Sequence, residues 1–392
     1  MQKLKVLVVD DSLVYRKIIS RAVDRTERAV VDCTASSGVT ALERLEQRAI
    51  DVVLMDVYMP GMDGIETLTK IKEKYKDLPV IIISSGGLDG AKLTVRALEE
   101  GAMDFIMKPS QGSGEKNIEA ISRHLTILFS QILIDRYAAK SRRRRGKRGY
   151  DPTDPNSREG ERDTVRMRKD GSPELRPDIS HEESPKEGKK VPGYSTACLS
   201  GIDLVVIASS TGGPSAVEEV CQALGPEFTK PILIVQHMPP DFTDIFARFL
   251  GKKSGMSVKE AEEGDGILNG RVLVAPGGYH MVVEPDSLEI TLTTTPPVNG
   301  VRPAADVMFQ SVARAYAGKR VLAVILTGMG GDGTDGVRAL KETCQCYCIT
   351  QSRETCIIYG MPRSVYEAGL SDEVVDLKDI GRRILEINRG RC

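Results

Sequence analysis

The sequence predicts two α/β domains, each built on a parallel sheet, with a charged linker between them. Three observations carry this. From residue 1 to about 136, short apolar runs ending in polar or small residues alternate with amphipathic stretches. From about 139 to 198 that pattern stops, and from about 200 to 392 it resumes. Strands separated by helical patterns imply crossover connections, hence parallel pairing with helices on both faces. A length of 392 residues admits two or three domains, and 41% hydrophobic residues suffice for sizeable cores.

In the first segment KVLVVDD, DVVLMDV, PVIIISS and DFIMKPS read as strands, and Leu13–Ala22 and Thr40–Arg48 as helices. A closing helix is predicted from about Lys116 to Tyr137, because Ile118, Ile121, Leu125, Leu128 and Ile132 fall on one stripe. This gives a first domain over 1–136. The stretch that follows is dense in charge, Pro, Gly and Ser, with too few apolar residues for a core, so 137–199 reads as a disordered linker. Its basic run Ser141–Arg148 admits a nucleic-acid reading, though a solvated linker is the simpler one. In the last segment, 200–392, the strands are IDLVVIASS, KPILIVQHM, GRVLVAPGG, VVEPDSLEITL, KRVLAVILTGM and QCYCITQ. Helices are expected to begin near Pro214, Asp241, Ala304 and Thr334.

Composition narrows the function. A net charge of -1 argues against nucleic-acid binding through overall charge, and the absence of Trp with 5% aromatics argues against base-stacking platforms. Eight Cys in this length do not make a disulfide scaffold. The N-terminus reaches two aspartates after a very short apolar run, unlike a signal peptide, and no stretch of about 18 apolar residues suggests a membrane span. A cytoplasmic setting is the expectation.

Parallel strands gather their C-termini at one edge, where ligands bind. In the first domain that edge receives Asp10 and Asp11, Asp56, Ser84 and Lys108 from four strand ends. Clustered carboxylates repel one another and call for a hard cation such as Mg²⁺, held by Asp11 and Asp56. Asp56 could then attack a phosphoryl donor while Lys108 offsets charge on the transferring oxygens and Ser84 hydrogen-bonds the product. The set resembles a response-regulator receiver domain over residues 3–136, including the Lys108-Pro109 step. The resemblance implies a doubly wound, five-stranded, flavodoxin-like fold and phosphorylation of Asp56 by a histidine kinase. Phe105 stands where that family carries an aromatic switch residue, and a core aromatic would also suit the position.

The chain has four His. His124 falls on the closing helix and His181 in the linker, which leaves His237 and His280, each read as following a strand. Ser210 follows DLVVIAS, and Asp332 lies in LTGMGGDGTDG. A serine needs an adjacent base to become a nucleophile, and the base needs a group that orients it. Each residue alone has a plainer reading: Ser-Thr-Gly-Gly-Pro as a helix cap, a strand-end His as a packed side chain, an Asp in a turn. The order of IASSTGGPSA, QHMPPDFTDIFARFL, VAPGGYHM, RPAADVMFQSVA, LTGMGGDGTDG and YGMPRSV is more specific. Together these resemble the chemotaxis protein-glutamate methylesterase/glutaminase (CheB) family over about 200–390.

The resemblance implies a parallel-sheet catalytic domain with Ser210 as nucleophile, His237 as base and Asp332 as acid. It implies the backbone N–H groups of Thr211 and Met329 as oxyanion donors, and His280 as a site-lining or structural residue. It also implies no cofactor for ester hydrolysis, Mg²⁺ for receiver phosphorylation, methyl-accepting chemoreceptors as substrates and a monomer that neither inserts in membranes nor binds nucleic acid. Ser209 departs from a frequent Gly of the family, Gly331 from a frequent Asn, and the linker is long for it. Cys344, Cys346 and Cys348 lie on one face of a strand, where with Cys356 they could form a metal set, but small apolar side chains are the simpler reading. Two other classes compete: a DNA-binding regulator using Arg142–Arg148, and a nucleotide-binding output using Ser209–Gly213, which lacks the P-loop Gly-Lys-Ser/Thr.

Overall fold

Alternation along each buried strand decides which helices cover which face. The computed structural model describes residues 3–109, 114–147 and 201–390. The first domain runs β1 (Leu4–Val9), α1 (Leu13–Arg25), β2 (Ala29–Ala35), α2 (Gly38–Gln47), β3 (Val52–Asp56), α3 (Gly64–Lys74), β4 (Val80–Ser84), α4 (Leu88–Glu99), β5 (Asp104–Met107) and α5 (Gly114–Lys147). The strands form one parallel sheet in the order β2-β1-β3-β4-β5. Val6, Val8 and Leu54 face α1 and α5, while Leu7, Val9, Val53 and Met55 face α2, α3 and α4. Ser12, Ser37 and Asp63 accept hydrogen bonds from first-turn amides and so begin α1, α2 and α3.

Helix α5 continues past the expected boundary at 136 to Lys147. The reason is local: Ala138, Ala139, Lys140 and Arg142–Arg145 are strong helix formers, and no breaker precedes Gly146. The rest of the expected linker, from Arg148, lies outside the described residues.

The second domain runs β6 (Leu204–Ser209), α6 (Gly213–Leu224), β7 (Ile232–Gln236), α7 (Phe242–Ser254), β8 (Ser257–Glu260), β9 (Arg271–Val274), β10 (His280–Val283), β11 (Ile290–Thr293), α8 (Ala305–Ala315), β12 (Arg320–Ile325), α9 (Thr334–Thr343), β13 (Gln345–Gln351), α10 (Met361–Glu367), β14 (Glu373–Val375) and α11 (Leu377–Asn388). Seven strands make a parallel sheet in the order β14-β13-β12-β6-β7-β9-β8. The chain starts at the central β6, fills one side and returns to fill the other, so a topological switch point lies at β6. Val205, Ile207 and Ile234 face α6, α7 and α11, whereas Val206, Ala208 and Val235 face α8, α9, α10 and the hairpin.

VVEPDSLEITL is not one strand. It bends at Glu284–Glu289 into the antiparallel hairpin β10–β11, outside the main sheet. His280 accordingly opens β10 rather than following a parallel strand.

The two domains share an apolar cluster. Phe105 of β5 stacks on Phe242 at the start of α7, with ring centroids 5.1 Å apart and planes within 5°. Helix α4 packs against α6 and α7, and Lys253 reaches Glu99 at 3.9 Å. Among the described residues no helix is long and apolar enough to cross a membrane.

Candidate active site

Two strand edges carry chemistry. In the first domain, Asp10, Asp11 and Asp56 place carboxylate oxygens within 4.8 Å of one another. Lys108 Nζ lies 2.6 Å from Asp56 Oδ2 and 2.8 Å from Asp10 Oδ2, and 4.5 Å from the centre of the Tyr15 ring. Burial of Asp56 raises its carboxyl above the usual range, and the Lys108 hydrogen bond only partly opposes this. Lys108 is held above its ordinary value: burial works against its charge, and the bonds to Asp10 and Asp56 outweigh it. The donor set is all oxygen and Asp11 is exposed, which suits a hard divalent ion. Ser84 differs from expectation. Its hydroxyl accepts from Thr94 Oγ1 at 2.6 Å and donates to the Ser85 carbonyl at 3.1 Å, so it is engaged with α4 and its approach rather than with Asp56.

In the second domain, Ser210, His237 and Asp332 follow β6, β7 and β12, the strands at the switch point. Backbone bonds tie these ends together: Ser210 N to Thr327 O at 3.0 Å and His237 N to Ser209 O at 3.1 Å. His237 Nε2 lies 2.8 Å from Asp332 Oδ2. The imidazole is thus turned opposite to the serine-protease template, and Nδ1 is the nitrogen left to act as base. No hydrogen bond joins Ser210 Oγ to His237, a link that in free enzymes often closes only with substrate.

Asp332 is 2% exposed, so burial pushes its carboxyl up, but His237 and the amides of Ala305 and Asp306 more than offset this and hold it below the usual range. Those amides come from the first turn of α8, whose N-cap Ala304 has no side chain to cap with. A helix N-terminus favours an anion. The Gly331 departure therefore leaves the carboxylate unaffected, since its partners come from elsewhere in the chain.

Among the described residues, the Thr211 and Met329 amides are not taken by any acceptor of the chain, as oxyanion donors require. Gly328 lets its loop approach Ser210: a Cβ there would sit 2.8 Å from Ser210 Cβ. His280 is fully buried and committed elsewhere, with Nδ1 accepting from Ala304 N at 3.2 Å and Nε2 donating to Pro296 O at 3.2 Å. It steadies the start of α8 and bonds none of Ser210, His237 and Asp332. The described cysteines form no metal set; half-buried Cys346 and buried Cys348 are thiols pushed upward by desolvation.

Ser209 has a separate role. Its fully buried hydroxyl donates to Gln236 Oε1 at 2.6 Å, and Gln236 Nε2 donates to Ser210 O at 2.9 Å and His237 O at 3.3 Å. One amide thereby fastens the backbones of Ser210 and His237. Gly213 makes room for it, since a Cβ there would fall 2.0 Å from Gln236 Oε1. The sequence-level signal for Gln236 was a polar residue ending an otherwise apolar strand. Ser209→Ala should leave Gln236 Oε1 unsatisfied, lowering unfolding free energy by about 1–3 kcal/mol. Activity should fall by less than about tenfold, because no reacting group is lost. Denaturant unfolding and ester hydrolysis check this, and a loss as deep as that of Ser210→Ala would reverse the assignment of the two serines.

Family models match both domains. One described as CheB methylesterase matches residues 205–384, and one described as response regulator receiver domain matches residues 6–118. A protein-glutamate methylesterase/protein-glutamine glutaminase of Treponema denticola is 38% identical over 386 residues, covering 98% of each chain. One of Geobacillus kaustophilus is 36% identical over 389 residues, covering 99% of each. The crystal structure of the Thermotoga maritima CheB methylesterase catalytic domain is 39% identical, covering 48% of this chain and 99% of that one with a TM-score of 0.46. From its likeness to these relatives over almost its full length, the chain belongs to the family of receiver-bearing protein-glutamate methylesterases/protein-glutamine glutaminases.

Proposed function

We propose that this chain is a phosphorylation-controlled hydrolase of chemotaxis-type sensory adaptation, cleaving glutamyl methyl esters and deamidating glutamines on methyl-accepting chemoreceptors in the cytoplasm. The observation that carries the reading is the pairing of half-buried His237 with buried Asp332, 2.8 Å apart, beside the Ser210 loop at the switch point. In the proposed reaction, Ser210 Oγ attacks the side-chain carbonyl as His237 Nδ1 takes its proton. Asp332 orients the ring and stabilises the imidazolium. The Thr211 and Met329 amides stabilise the oxyanion. His237 returns the proton to the departing methanol or ammonia, and water, activated the same way, releases glutamate and frees Ser210. These groups suffice to write both half-reactions.

The receiver domain takes a phosphoryl group on Asp56 from a histidine kinase. Asp11 and Asp56, with Asp10 beside them, would hold Mg²⁺, which supplies charge neutralisation for phosphoryl transfer. The contact of Phe105 with Phe242, five residues beyond His237, supports a docked, restrained state in the absence of phosphate. A monomer with chemoreceptor and kinase as its partners fits this reading.

One site serving both reactions has a direct test. His237→Ala should abolish methanol release from a methylated receptor fragment and ammonia release from its glutamine counterpart together. Persistence of ammonia release at the wild-type rate would require a second site.

A further inference from the structure

Asn299 and Asp306 have no part in the triad, yet they meet Asp332. Asn299 Nδ2 is 2.8 Å from Asp306 Oδ2 and 3.1 Å from Asp332 Oδ1, so its two protons are given to two different carboxylates. Asp306 Oδ1 accepts from Gly333 N at 2.9 Å and Gly336 N at 2.8 Å. The caps are reciprocal: Asp332, just before α9, closes the N-terminus of α8, and Asp306, in the first turn of α8, closes that of α9. Neither helix has a side-chain cap of its own.

We propose that Asn299 and Asp306 are positioning residues of the hydrolysis, a carboxylate–amide–carboxylate bridge that fixes the Asp332 carboxylate against His237. The inference rests on Asp332 being the acid of the triad. With the bridge in place Asp332 Oδ1 accepts from Asn299 and the Asp306 amide, and Oδ2 from the Ala305 amide at 2.6 Å and His237. A carboxylate so held cannot rotate without losing bonds, and its Oδ2 stays in line with Nε2. Without the Asn299 amide, Asp306 Oδ2 loses its donor in a site 4% exposed, and the two acids face each other with nothing between them.

A purely local role for Asn299 is the alternative. Val298 and Val301 exchange backbone hydrogen bonds at 3.0 and 3.1 Å, and Asn299 and Gly300 take φ of 54° and 79°, the geometry of a type I′ turn. Asn-Gly is a preferred pair there, and Gly or Asp at the first central position serves the turn as well. The turn needs the backbone of residue 299; the bridge needs its amide.

The experiment uses the full chain and methanol release from a methylated receptor fragment, with Asn299→Gly, Asn299→Asp, Asp332→Ala and Ser210→Ala beside wild type. Asn299→Gly should keep KM within about twofold and lower kcat by about 10- to 100-fold, the signature of misplaced catalytic groups. Its unfolding midpoint should fall, because Asp306 Oδ2 is left without a donor, while the protein stays folded under assay conditions, and the His237 imidazole NMR signals should shift. Should Asn299→Gly fold poorly, Asn299→Asp, which also suits the turn, is read by the same split. Wild-type kcat in a folded Asn299 variant, or a change in KM alone, would overturn the bridge while inactive Asp332→Ala and Ser210→Ala left the triad standing. Wild-type activity in Asp332→Ala would instead remove the triad reading and the bridge with it.

Discussion

Ser210→Ala is expected to lower methanol release by about 10⁶-fold in kcat, the scale of losing a nucleophile that works as a unit with its base. The substitution removes only Oγ. That atom makes no hydrogen bond within the described chain, so no buried partner is orphaned. The Ser210 amide and carbonyl keep their bonds to Thr327 O and from Gly213 N and Gln236 Nε2. The fold and the unfolding midpoint should therefore be near wild type, which separates a chemical loss from a structural one. Single-turnover methanol release on matched preparations is the measurement. Ser210→Ala within about tenfold of wild type would refute the nucleophile.

The second large effect concerns control. A phosphoryl donor with Mg²⁺ should raise the wild-type rate by about 5- to 150-fold, the usual range of coupling between two sites, and should leave Asp56→Asn unstimulated. The variant is informative because it folds without an unpaired charge: Lys108 retains Asp10 at 2.8 Å. The route from Asp56 is short. Lys108 bonds Asp56 and lies three residues beyond Phe105 on the same chain segment, and Phe105 stacks on Phe242. Ser84 is bonded to Thr94 of α4, the helix that packs on α7. Turning Ser84 toward a new phosphoryl group would release that bond and disturb the docked face. Equal stimulation of Asp56→Asn and wild type, read as initial rates with and without donor, would refute the switch.

How much of this was legible beforehand follows from what each residue's neighbours are. The strands that lead to Asp10, Asp56, Lys108, Ser210 and His237 were plain in the sequence because they are apolar runs buried on both faces. Strands β2, β8 and β14 were missed: they are edge strands, largely half-exposed, with little pattern to read. Hairpin β10–β11 was read as one strand, although Pro285, Asp286 and Ser287 at its bend are turn-forming residues. Ser84 was identified at the correct strand end, but its direction depends on Thr94, a helix away. The Asn299–Asp306–Asp332 bridge had no local signal, since Asn299 and Asp332 lie 33 residues apart and meet only through the packing of α8 on α9.

The stacked Phe105 and Phe242 carry one more consequence, which concerns direction of influence. If docking of the receiver excludes the receptor segment, substrate and phosphoryl group both favour the undocked arrangement. Free-energy linkage is symmetric, so the factor by which phosphorylation tightens substrate binding is the factor by which bound substrate favours the phosphorylated form. The receptor is then a ligand of the switch as well as a target of the enzyme. A cluster rich in methylated sites would hold its own esterase in the active state, and would release it as those sites are consumed.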